Sequence, residues 1–123
     1  MANPPHFVQG TPVVLFLNAP REKIWGVLIS MDPAGVVVRG LDLEVFEDWM
    51  RQEARGEEEL IGLSTLFYPM HRVERIEQDE TVGPLVSYAE RFAGKVGRTV
   101  RQALGLPPGR VKPQRGSGYR RSR

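Results

Sequence analysis

The chain has 123 residues, 41% of them hydrophobic, and no cysteine, which allows one domain with appendages and excludes a disulfide framework or any thiolate-ligated zinc or iron–sulfur site. The formal net charge of +2 hides a division: residues 1–81 hold 7 Lys+Arg against 14 Asp+Glu, whereas residues 82–123 hold 10 against Glu90 alone. Such asymmetry points to a basic appendage directed at a polyanion or an acidic surface, or neutralised by the acidic part of the same molecule.

Residues 1–10 read as a flexible leader. The first basic residue is Arg21, and the longest apolar run near the start, Val13–Leu17, is far below the roughly 18 residues of a membrane span. We therefore expect no signal peptide, no membrane span and a cytoplasmic location. Three short apolar segments follow, Pro12–Asn18, Lys23–Met31 and Gly35–Leu41. They are separated by Asn18-Ala19-Pro20-Arg21-Glu22 and Asp32-Pro33-Ala34-Gly35, whose residue types pre-set turn dihedrals. This is the pattern of an antiparallel meander.

Asp42–Glu59 changes character. Leu43, Phe46, Met50 and Ala54 recur at spacings of three and four, which predicts a helix within 42–56, with Trp49 at the edge of its stripe and Gly56 at its end. Eight acidic residues against Arg51 and Arg55 make this segment repel nucleic acid. It reads either as a lid over one open end of the barrel or as a surface for a basic partner.

Strands four and five are predicted at Leu60–Tyr68 and Arg72–Gln78, joined by Pro69-Met70-His71. The fold class expected over 11–80 is mainly β with appended α: a small five-stranded antiparallel barrel, SH3-like, with an inserted acidic helix and a C-terminal amphipathic helix. That last helix is expected over 83–105, opening on Gly83-Pro84. It places Leu85, Ala89, Phe92, Val96, Val100 and Ala103 on one face and Arg91, Lys95, Arg98 and Arg101 on the other. The apolar face docks on the barrel, pairs with a second copy or lies on an anionic membrane.

Residues 106–123 offer only Val111 and Tyr119 to a core, so a disordered tail is expected. Its Arg110, Lys112, Arg115, Arg120, Arg121 and Arg123, set among glycine and serine with Tyr119, suit sequence-tolerant phosphate contact and base stacking.

The run Lys23-Ile24-Trp25-Gly26-Val27-Leu28-Ile29-Ser30-Met31-Asp32 resembles the first signature of Sm-like proteins, the Hfq type included: a glycine, an aliphatic run, then an aspartate at the hairpin. Val13–Asn18 fits that family's first strand, and Ser64–Ile76 takes the place of its second signature, so the resemblance covers about residues 11–78. It implies an SH3-like barrel and RNA binding. Asp32 is followed by Pro33-Ala34-Gly35 where the family offers a base-reading asparagine. Tyr68-Pro69-Met70-His71-Arg72 stands where the family has an arginine–glycine pair or a tyrosine–lysine–histidine run, and only Tyr68, His71 and Arg72 carry over, with a one-residue offset.

Independently of the resemblance, a turn exposing an imidazole and a guanidinium beside an aromatic ring can stack a base and hold a phosphate. The alternative is that His71 and Arg72 bond local carbonyls and acids while Tyr68 packs in the barrel wall. Catalysis has little support: His6 and His71 are the available neutral-pH bases, and no triad motif or phosphate-cradling glycine loop occurs. Glu57-Glu58-Glu59 lacks the spacing of a metal site. We expect no cofactor and no metal. Two functions remain: a non-catalytic nucleic-acid-binding module that grips RNA or another polyanion with the basic face of the last helix (Arg91, Lys95, Arg98 and Arg101) and the tail, and a protein-interaction adaptor. The adaptor would use the acidic helix or a barrel edge, with self-association through those edges or the last helix and the basic tail as anchor.

Overall fold

The computed structural model describes residues 4–56 and 61–103. Five strands, β1 (Pro12–Leu17), β2 (Glu22–Asp32), β3 (Gly35–Asp42), β4 (Ser64–Pro69) and β5 (Val73–Gln78), form one antiparallel sheet in the order β4-β3-β2-β1-β5. Helix α1 (Phe46–Arg55) lies between β3 and β4, and α2 (Tyr88–Val96) and α3 (Val100–Ala103) follow β5. The hairpins sit where the turn residues place them. At the second one, Asp32 Oδ1 accepts from the backbone N–H of Ala34 (2.8 Å) and Gly35 (3.3 Å), bending the chain by a local side-chain bond.

The sheet carries a core on each face. Because side chains alternate along a strand, Val13, Leu15 and Leu17 of β1 join Ile24 and Leu28 of β2 and Val36 and Val38 of β3 on one face. Val14, Trp25, Val27 and Leu41 point the other way, into Phe46, Trp49 and Met50 of α1, Phe92 of α2 and Val100 of α3. This is why β2 is buried without a break from Ile24 to Leu28. Gly26 and Gly40 stand opposite each other in the β2–β3 ladder. A methyl group on Gly40 would lie 2.2 Å from the Trp25 carbonyl oxygen, so this close approach requires glycine.

The expected closed barrel needs correction, because the sheet is open and its edges are β4 and β5. Between them, a 3-10 turn at Met70–Arg72 directs its backbone groups to the hairpin loops: Met70 N–H donates to Ala34 O (3.0 Å), and Arg72 O accepts from Asn18 N–H (2.9 Å). The two edges share a core instead, since Leu66 and Tyr68 from β4 and Val73 and Ile76 from β5 pack against the first cluster. Side chains rather than hydrogen bonds bring the ends of the sheet together.

Two helical expectations change as well. Trp49 is not at the edge of the α1 stripe but at its centre, 1% exposed, with ring centroids 6.0 Å from Trp25, 5.8 Å from Phe46 and 4.6 Å from Phe92. Aromatic area outweighs the strict three-and-four spacing, and α1 covers a face of the sheet rather than an open end. Gly56, at φ +66°, ends it as anticipated.

The single helix expected over 83–105 is two short ones. Val82 and Leu85 exchange both backbone bonds (2.9 and 3.0 Å) around Gly83-Pro84, so this segment is a tight turn and Leu85 is 72% exposed. The helix begins instead after Ser87, whose hydroxyl caps Glu90 N–H (3.0 Å), and stops at Gly97 with φ +87°. Within the expected leader, Phe7 packs against the first core and Gly10 N–H donates to Leu28 O (2.7 Å). The acidic run 57–59 and the tail 106–123 lie outside the described residues.

Candidate functional site

Of the four basic residues in and between the C-terminal helices, two are paired with α1. Arg91 pairs with Glu47, and Arg98 donates to Glu53 at 2.6 Å with that carboxylate only 13% exposed. Arg101 donates to the carbonyl oxygen of Gly10 (3.0 Å). Lys95 is exposed. The cause lies in the packing: Phe92 and Val100 bury the apolar side of α2 and α3 against Trp49, which lays their basic flank along the acidic flank of α1. Arg91 and Arg98 thus meet acids of the same molecule, and the exposed Arg91–Glu47 pair contributes at most about 1 kcal/mol.

The turn between β4 and β5 brings Tyr68 and Arg72 together and leaves His71 exposed beside them. Arg72 is a clamp on the first hairpin loop: Nε donates to Asn18 O (2.8 Å), and Nη2 donates to Pro20 O (2.9 Å) and Glu22 Oε1 (3.1 Å). Its carbon Cζ sits 5.9 Å from the centre of the Tyr68 ring. Burial above all, and then the Glu22 carboxylate, push the Tyr68 phenol above its ordinary value, while Arg72 opposes the shift and Asp42 adds to it. Tyr68 is therefore a neutral, half-buried ring. Arg110, Lys112, Arg115, Tyr119, Arg120, Arg121 and Arg123 lie outside the described residues.

Three features escape a reading along the chain, because each depends on residues far apart in sequence. Asp79 accepts from the Trp25 indole N–H (3.0 Å) and from the backbone N–H of Tyr88 (2.8 Å) and Ala89 (2.9 Å), tying the sheet to the start of α2. Buried Gln52 donates to Ile61 O (2.7 Å) and accepts from Ile61 N–H (3.0 Å), fixing the chain where it leaves the 57–60 segment. Lys23, Phe16 and Arg75 stand opposite one another on β2, β1 and β5, with Arg75 3.9 Å from the Phe16 ring centre and also bonded to Glu77. Only the strand register discloses that ladder.

The open concavities among the described residues include two of several hundred cubic ångströms. One, of about 410 Å³, is lined by Arg21, Glu22, Lys23, Asp42, Leu43 and Glu44, where cations and carboxylates offset each other. The other, of about 310 Å³, is an apolar trough between Phe7, Met31, Met70, Val73 and Ile76. Among the described residues no three His, Cys, Asp or Glu are grouped to hold a metal ion, and no helix is long and apolar enough to cross a membrane. No family model, curated protein or solved structure matches the chain.

Proposed function

We propose that this chain is a small five-stranded β module of the SH3-like, Sm-like kind, its sheet left open, that acts in the cytoplasm and binds RNA, without catalysis, through its C-terminal basic segment. The order of the five strands and the 3-10 turn before the last support the architectural part of this reading. The observation that carries the functional part is where the charge resides. The described residues hold 11 Lys+Arg against 12 Asp+Glu, whereas residues 104–123 hold six Lys+Arg and no acid. With Arg91 and Arg98 turned toward Glu47 and Glu53, the folded part offers a polyanion little net attraction, and the segment after α3 offers a great deal. Tyr119 and the guanidinium planes suit base stacking of low sequence preference.

Removing 107–123 tests the reading. Affinity for single-stranded RNA falls, and the slope of log affinity against log salt shrinks by about 0.7 for each phosphate that the shortened chain no longer neutralises. Arg91→Ala with Arg98→Ala leaves that slope unchanged. A combined change of Tyr68, His71 and Arg72 weakens binding further only if the β4–β5 turn also contacts a base. Absence of salt-sensitive binding by the full chain at low ionic strength overturns the proposal and leaves the adaptor reading.

A further inference from the structure

We propose that the row Lys23–Phe16–Arg75 is a nucleotide subsite, where one unpaired base of a single-stranded RNA stacks on the Arg75 guanidinium and the adjoining phosphate meets the Lys23 ammonium. This site rests on the RNA reading and deepens it, adding a base contact on the folded part to the phosphate contacts of the terminal segment. Strand register creates the row. Side chains of β1 that point toward the helices meet two sets of partners: Val14 lies opposite Trp25 of β2 and Glu77 of β5, and Phe16 opposite Lys23 and Arg75. In the first set Val14 and Trp25 are buried in the core that α1 and α2 complete. In the second, one step along the same face, Lys23 and Arg75 are exposed and Phe16 is half-buried, so the row lies where the helical cover ends.

Arg75 is prepared for stacking rather than for holding an anion. Its Cζ lies over the Phe16 ring, 3.9 Å from the centre, and its Nε donates to Glu77 Oε2 (2.9 Å). The ring thus takes one face of the guanidinium and a carboxylate takes one edge, yet the side chain is still 56% exposed, which leaves the second face to a ligand. Glu77 already answers the charge. A carboxylate of an acidic peptide approaching Arg75 therefore meets a neighbouring anion, whereas an uncharged base brings a π-face and needs only the flat cation. Lys23 differs. Its Nζ is 5.5 Å from the centre of the same ring, and it forms no ion pair among the described residues, so its charge remains for a phosphate. Of the carboxylates lining the concavity beside it, Glu22 is bonded to Arg72 and Asp42 accepts from the Glu44 N–H.

The spacing of the row selects the ligand. Phe16 separates the two cations, whose strands β2 and β5 flank β1 and so lie two strand spacings, roughly 10 Å, apart. A ligand that serves both carries a flat, uncharged ring and an anion on a short flexible link, which describes a nucleotide within a single strand. Bases paired in a duplex keep their faces inside the stack and cannot lie on Arg75, so the site takes unpaired RNA. Stacking releases no counterions. The base contact therefore supplies affinity that salt does not remove, while phosphate contacts of the terminal segment supply the part that salt does.

The experiment compares two probes of equal length and charge on the full chain, a single-stranded oligouridylate and the same sugar–phosphate strand without bases, by fluorescence anisotropy over a range of salt. The parent binds the oligouridylate more tightly, and the ratio between the probes does not change with salt. Arg75→Lys keeps the charge but not the plane. It lowers oligouridylate affinity by roughly tenfold, the worth of one stacked base, and leaves the baseless strand and both salt slopes as they were. Lys23→Gln weakens both probes and reduces both slopes by about 0.7. Ultraviolet crosslinking of the oligouridylate to the unaltered chain is a readout that no folding defect can mimic, with adducts expected on the peptides that carry Phe16 or Arg75. Equal affinity of the parent for the two probes overturns the inference, as does an Arg75→Lys variant with undiminished preference for bases, or crosslinks confined to Tyr68 or Tyr119. In each of these cases the RNA reading stands, and only the absence of salt-sensitive binding removes both. Polyglutamate binding that falls equally with Arg75→Lys overturns the inference too, since the row then serves acidic proteins.

Discussion

Replacing Asp79 with alanine removes the acceptor of three N–H groups at once, and its cost can be worked from their surroundings. The Trp25 side chain is completely buried, so its indole N–H is deprived of a partner without access to water, a penalty of about 1–3 kcal/mol. The Tyr88 and Ala89 amides belong to the first turn of α2, where loss of a side-chain acceptor costs about 0.5–2 kcal/mol and water offsets part of it. Together these predict a loss of about 2–4 kcal/mol, which for a domain of this size lowers the melting temperature by roughly 10–25 °C. Thermal unfolding followed by far-ultraviolet circular dichroism and tryptophan fluorescence measures the change. Asp79→Asn keeps one carbonyl acceptor and falls between parent and alanine variant. A change below about 0.5 kcal/mol in the alanine variant, in the range of ordinary surface substitutions, would refute the idea that this carboxylate ties α2 to the sheet.

Other consequences follow from the same packing. Phe92→Ala, at a fully buried ring stacked on Trp49, costs about 3–5 kcal/mol by chemical denaturation, whereas Leu85→Ser, at a 72% exposed side chain, stays within about 0.5 kcal/mol of the parent. Equal losses would mean that the helix begins at Pro84 after all. Because the folded-state value of Tyr68 is raised, its contribution to stability is fully present below the ordinary value of 10.0 and is lost as pH rises through the folded value. Tyr68→Phe removes that part of the alkaline decline, and denaturation midpoints compared on either side of pH 10.0 show whether it does. Gly40→Ala drives a methyl group into the Trp25 carbonyl and yields an unstable or insoluble chain, judged by expression and circular dichroism; native stability would show that β2 and β3 separate easily there.

Function is best sought in the contrast between the described residues, whose 11 Lys+Arg nearly balance 12 Asp+Glu, and residues 104–123, whose charged side chains are all basic. Removing residues 107–123 tests whether they contact phosphates.

Local chemistry made much of the fold readable from the sequence. Short apolar runs bounded by turn residues placed the first three strands and the last within a residue or so, since both signals act over a few neighbouring positions. The 3.6-residue period likewise located α1, and Gly56 its end. What required the tertiary structure was every feature made by distant residues. Whether the sheet closes depended on where Met70 and Arg72 send their backbone bonds. The place of Trp49 depended on Trp25 and Phe92 arriving from other elements, and the start of the last helix on Ser87 and Asp79 prevailing over the proline at position 84. For the same reason Arg91 and Arg98, legible as charge in the sequence, gained their meaning only when packing set them against Glu47 and Glu53 of α1: a one-dimensional pattern records which residues share a face, while the facing element decides what that face can bind.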